Sequence, residues 1–121
     1  MSDPNSEILN DGLNLAMEFG NDWLMPVRER LEKKYPDLSA EQLDIYSIEC
    51  EGAMEAGLSF IYKTLEKLAT NKGNITGPEL FNLLQDNMKL IFPWINNESA
   101  SRLMSQGCYY AYKDGLDGSL V

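Results

Sequence analysis

The chain has 121 residues, 19 acidic and 10 basic side chains, no histidine and two cysteines. That length suits one domain able to bury a core, and 44% hydrophobic with 24% charged residues is globular usage, not the composition of a disordered chain. A net charge of −9 argues against nucleic acid and anionic membranes as main partners, because both repel an acidic surface, and leaves basic proteins, cations and neutral ligands.

Four helical segments follow from apolar period and punctuation. The first spans about 6–34, where Leu9, Leu13, Ala16, Gly20, Leu24, Val27 and Leu31 recur at three- and four-residue steps. Asn5 or Ser6 is its expected cap, and Pro26 should bend or break it somewhere from Gly20 onward, since proline lacks the backbone donor. The second spans about 40–70, opened by a capping box of Ser39 and Gln42, with Leu43, Cys50, Met54, Gly57, Ile61, Leu65 and Leu68 on one face. Its expected stop is Gly73 or a neighbouring asparagine in the left-handed conformation.

The third spans about 78–92, with a second capping box of Thr76 and Glu79, an apolar stripe of Leu80, Leu83, Leu84, Met88 and Ile91, and Pro93 barring continuation. The fourth spans about 98–114, capped by Asn97 and stopped by Gly115, with Ala100, Leu103, Met104, Gly107, Cys108 and Ala111 as its stripe. No segment alternates with period two, so no strand is expected. Short connections between long helices predict an all-α, single-domain, up-and-down bundle of four main helices over residues 1–121, with short flexible ends at 1–5 and 116–121.

The N-terminal residues carry neither a basic stretch nor an apolar core, so a signal peptide is not expected, and no apolar run approaches the roughly 20 residues of a membrane span. A cytoplasmic location with reduced thiols is the corresponding expectation. Cys50 and Cys108, set in apolar helical stretches, read as small core residues.

The absence of histidine removes the usual general base and the commonest metal ligand, and with them Ser-His-Asp, Cys-His and H-E-x-x-H arrangements. No phosphate-binding glycine loop is present. The turn after the second segment has the glycine, apolar and glutamate positions of an EF-hand loop at Gly73, Ile75 and Glu79, but Leu68, Thr70 and Lys72 stand where acidic or other oxygen ligands belong, so it reads as a tight interhelical turn. Glu51 and Glu55, one turn apart, lack the ligands that a carboxylate metal site draws from several helices. No enzyme activity, metal or cofactor is therefore expected.

Three constellations remain. At about 100° per residue, Glu41, Asp44, Glu51 and Glu55 share one flank of the second helix and lack i,i+4 basic partners along it. Beside them Ile45, Ile48, Gly52 and Ala56 form a second, narrower apolar stripe, which makes this helix either central in its bundle or a contact for another chain. Glu41, Asp44, Ile45, Ile48, Glu51 and Glu55 are thus the candidate partner-binding residues, for a protein partner of basic character. Arg28, Arg30, Lys33 and Lys34 make a basic end whose Arg28–Glu32 and Glu29–Lys33 spacings suggest self-neutralisation, or contact with the acidic stretch of a second copy in a homodimer. Trp23, Trp94, Tyr109, Tyr110 and Tyr112, together with the methionines, supply material for a small-molecule pocket, which is the alternative function.

Overall fold

The computed structural model describes residues 4–17 and 26–121. Five α-helices lie in it: α1 (Pro4–Met17), α2 (Val27–Lys34), α3 (Ala40–Thr70), α4 (Gly77–Ile91) and α5 (Asn97–Lys113), followed by a single 3-10 turn, Asp117–Ser119. No strand forms among the described residues. Five helices stand where four main segments are expected, because the first segment, expected to bend or break near Pro26, is two helices among the described residues. Pro26 stands immediately before α2 with extended backbone (φ −54°, ψ 145°), and its carbonyl accepts the first turn's N–H groups of Glu29 and Arg30. Gly20 and Leu24 lie outside the described residues. α1 already begins at Pro4, so Asn5 and Ser6 sit inside it and do not cap it.

Local chemistry sets most other boundaries. Ser39 and Gln42 exchange side-chain-to-backbone bonds as a capping box, as do Thr76 and Glu79, and hydrogen bonding from the Thr76 side chain and backbone holds the Glu79 carboxyl below its ordinary range. The cap of α5 is Asn96, one residue earlier than expected, whose Oδ1 accepts from the Ser99 N–H at 2.8 Å.

α3 and α5 end in the same way. After α5, the Leu116 N–H bonds the Ala111 carbonyl and the Gly115 N–H bonds that of Tyr112; after α3, the Gly73 N–H bonds Leu68 and the Lys72 N–H bonds Ala69. Both are Schellman closures, which require a left-handed residue one place past the cap. Gly115 fills that place at φ 75°, but after α3 the residue is Lys72 at φ 56°, not the expected Gly73. A Cβ on Gly73 would lie 2.8 Å from Leu68 Cδ2, so that glycine serves close approach. Lysine pays a left-handed penalty that glycine avoids, and Lys72 is exposed. Lys72→Gly is expected to stabilise the fold by about 0.5–1 kcal/mol after glycine's own chain-entropy cost, read as a higher urea midpoint at constant m-value.

The core forms where α3 faces α1, α4 and α5. Leu13, Ile61, Leu65, Leu80, Leu84, Met88 and Leu103 are fully buried in it, and Ile75, Ile95 and Ala111 close its ends. A smaller cluster of Val27, Leu31 and Leu43 joins α2 to α1 and α3. The expected stripes of α3 and α5 hold at Leu43, Cys50, Gly57, Ile61, Leu65, Ala100, Leu103, Gly107 and Ala111. On α4 the stripe is narrower than expected, for Leu83 and Ile91 lie largely outside it.

Glycines let α3 and α5 approach closely: a Cβ on Gly57 would stand 2.9 Å from Leu103 Cδ1, and one on Gly107 only 2.7 Å from Ile61 Cβ. The C-terminal residues, expected to form a free end, instead return to the α3–α4 turn. There the Ile75 N–H bonds the Ser119 carbonyl at 2.8 Å, the Val121 N–H bonds the Ile75 carbonyl at 2.9 Å, and Leu116 and Leu120 pack on the core. Hydrophobic residues on both sides of the 3-10 turn give this return its driving force.

Candidate functional site: the outward face of α3

The capping box at Ser39 fixes where α3 starts, and its buried row fixes how it is rotated: Leu43, Ser47, Cys50, Ala53, Gly57, Ile61 and Leu65 point inward. Ile45 and Ile48 then fall about 140–200° round the helix from Leu43, on the side away from the core. They are 58% and 71% exposed. Of the two options open for a helix with two apolar sides, burial at the centre of the bundle is thus ruled out for this face. Gly52 and Ala56 continue the stripe and are only partly exposed, while Glu41, Glu51 and Glu55 are exposed around it.

Two acids of this stretch are engaged within the chain. Asp44 pairs with Arg28, which also reaches Glu32 at 4.0 Å, and these carboxylates hold the Arg28 guanidinium in its charged form. Glu49 Oε1 accepts from the Trp94 indole N–H at 3.2 Å. Among the candidate partner residues Asp44 is therefore a strut between α2 and α3, and the outward-facing set is Glu41, Ile45, Ile48, Glu51 and Glu55.

The basic end is also turned inward. Arg30 is buried and donates to the Leu15 carbonyl, Lys34 pairs with Asp11 at 3.5 Å, and Tyr35 donates to the same carboxylate. Burial and that hydrogen bond push the Tyr35 hydroxyl well above its usual range. Three of the four clustered bases thus hold α2 against α1 and α3, and their contribution to a second copy's acidic face shrinks accordingly.

The candidate pocket residues do not converge. Trp23 lies outside the described residues. Trp94 is half-buried, edge-on to Phe92 at 6.1 Å between ring centroids, and committed to Glu49. Tyr112 is 65% exposed and stands apart from the Tyr109–Tyr110 groove. Tyr109 and Tyr110 share a cavity, a surface groove of about 680 Å³ between α5 and the end of α1 at Met17. Sequence reasoning missed Arg102, Gln106 and Lys113 in that groove. Their spacing from Tyr109, three-, four- and seven-residue steps along α5, was the available signal.

A second, polar cleft of about 290 Å³ between α1 and α5 contains Asn14, whose Oδ1 is buried without a protein hydrogen-bond partner. The thiols offer little chemistry. Cys50 is buried, donates to the Leu9 carbonyl at 3.2 Å, and is pushed up to about 12 by burial and by Glu49 and Glu51. Burial also raises Cys108. Among the described residues no three His, Cys, Asp or Glu side chains gather as for a metal ion, and no helix is long and apolar enough to cross a membrane. No family model, curated protein or solved structure matches the chain.

Proposed function

We propose that the chain is a non-enzymatic interaction module that holds a basic protein partner on the outward face of α3, in the manner of an inhibitor, immunity or adaptor protein. The observation that carries this reading is the exposure of Ile45 and Ile48 among Glu41, Glu51 and Glu55. An apolar centre rimmed by charge is the usual anatomy of a protein contact. Burying each isoleucine stabilises a complex by roughly 1.5–3 kcal/mol before ordering costs, and the carboxylates would steer a partner of opposite sign. Two copies of the same acidic face repel each other, which favours a different, basic chain over a face-to-face homodimer.

The test compares wild type with Ile48→Asp, whose new charge sits on an exposed surface. Immobilised wild type is expected to retain a basic protein at low salt, to lose it as salt rises, and to bind it at least tenfold more tightly than Ile48→Asp, with the helical circular dichroism of both chains equal. Equal retention by the two chains, or no partner bound by wild type, would reject the reading. Light scattering on wild type separates a self-association arm from a heterologous one.

A further inference from the structure

The described lining of the groove along α5 differs in chemistry from the acidic balance of the chain. Eight described residues line it, and none is acidic, although Asp and Glu outnumber Lys and Arg by 19 to 10 in the chain. α5 buries Ser99, Ala100, Leu103, Gly107 and Ala111 against the core. That rotation leaves Arg102, Ser105, Tyr109 and Lys113 along its opposite flank. The other wall is tied in place, since the Gln106 side-chain amide donates to the Met17 carbonyl at 2.8 Å, joining α5 to the end of α1. Met17 supplies an apolar surface there. The Tyr109 and Tyr110 rings lie 5.7 Å apart at 60° and form an aromatic floor that is still partly open, with Tyr109 53% exposed.

The two cations are not equivalent. Arg102 is already partnered by Glu98 at 3.8 Å. Lys113 holds its ammonium 5.7 Å from the centroid of the Tyr109 ring, and no carboxylate of the described residues pairs with it. An ammonium over an aromatic face beside an apolar wall attracts an anion whose body is apolar, for the ring and the methionine take the body while the ammonium takes the charge. From Arg102 to Lys113 the groove follows eleven residues of helix, about 16 Å at 1.5 Å per residue, long enough for an extended chain. Its volume, about 680 Å³, falls inside the range of roughly 300–1,000 Å³ common to small-molecule sites.

We propose that this groove binds an amphipathic organic carboxylate, with the carboxylate on Lys113 and the apolar chain running over Tyr109, Tyr110 and Met17 toward Arg102. The site stands on α5 and α1, on residues separate from the outward face of α3, so it does not depend on the protein-binding reading. Dodecanoate, kept below its micelle concentration, is the probe, and dodecanol is its neutral counterpart. Titration followed by amide chemical shifts is expected to saturate, with the largest changes at Met17 and from Ser101 to Lys113. Lys113→Gln should weaken dodecanoate at least fivefold and leave dodecanol unchanged, and Tyr109→Ser should weaken both. Lys113 is exposed, so the glutamine variant should fold as wild type does, which its far-ultraviolet spectrum checks. Absence of saturable shifts, shifts centred elsewhere, equal affinity for dodecanol and dodecanoate, or indifference to Lys113→Gln would each overturn the proposal.

Discussion

Asn10→Leu is expected to cost about 3 kcal/mol of folding stability, because it strips a buried polar cluster of its centre. Asn10 is 6% exposed, and its side chain is fully used: Nδ2 donates to the carbonyls of Ser6 and Trp94, each at 2.8 Å, and Oδ1 accepts from the Asn96 N–H at 3.0 Å and the Ser99 hydroxyl at 2.7 Å. Leucine of similar size would fill the space but satisfy none of these. The Ser99 hydroxyl is fully buried and would lose the acceptor of its proton, keeping only the long bond it accepts from Asn14 Nδ2 at 3.4 Å. The damage reaches further than one bond, since Asn96 caps α5 and Asn10 holds Asn96. Ser99→Ala alone removes one donor and leaves Asn10 with three bonds, so it should cost only about 1 kcal/mol. In the double variant the hydroxyl with the unsatisfied proton is gone, and the two costs should sum to more than the double variant shows. Urea unfolding of the four chains measures this cycle. Simple additivity, or a cost below about 1 kcal/mol for Asn10→Leu, would contradict the cluster's role.

Leu103→Ala is expected to cost about 3–5 kcal/mol, toward the upper end for leucine truncation. The penalty for such a truncation depends on how far the surroundings collapse into the space. Here they cannot move far. Leu103 is fully buried, with its terminal carbons at Gly57, while one turn further along α5 Gly107 already presses against Ile61 Cβ. With the helices in near-backbone contact at that crossing, α5 cannot tilt inward to fill the gap left beside Gly57. The partner substitution makes the argument sharp. Gly57→Ala should destabilise wild type, because its methyl meets Leu103 at 2.9 Å, yet it should be neutral or stabilising in the Leu103→Ala background, where the methyl occupies vacated volume and alanine is the better helix former. A coupling above about 1 kcal/mol in denaturant unfolding is the expected result, and independence of the two sites would be inconsistent with the packing.

Short-range signals in the sequence were read well. The capping boxes at Ser39 and Thr76, the stop at Pro93 and the left-handed glycine at Gly115 each act through residues within four positions of one another, so their chemistry is written locally. What escaped was set by distant partners. Nothing in the sequence singles out Asn10, because the partners that tie it to α5 and its approach, among them Trp94 and Ser99, lie more than eighty residues away. Asp44 looked unneutralised because its base stands on another helix. Lys72 took the left-handed place because α3 closes with its cap at Asn71, one residue earlier than a glycine stop at Gly73 requires. For the candidate site, the second stripe of Ile45 and Ile48 was legible from helical angle alone. Whether it faced the bundle centre or solvent was not, since that depends on where α1, α2 and α4 dock.

The Asn10–Ser99 bond joins residues 89 apart in the chain. α1 packs on α2 and α3, which lie near it in the chain, but its contact with α5 closes a loop of nearly the whole protein. Closing that span costs about 2 kcal/mol more than closing one of about ten residues, so the α1–α5 contact is the natural last one to form. The asparagine cluster would then act as a latch, engaged only after the rate-limiting barrier is crossed. Its removal should leave the refolding limb of a chevron almost untouched and steepen escape from the native state, which makes Asn10 a determinant of how long the folded molecule lasts more than of how fast it forms.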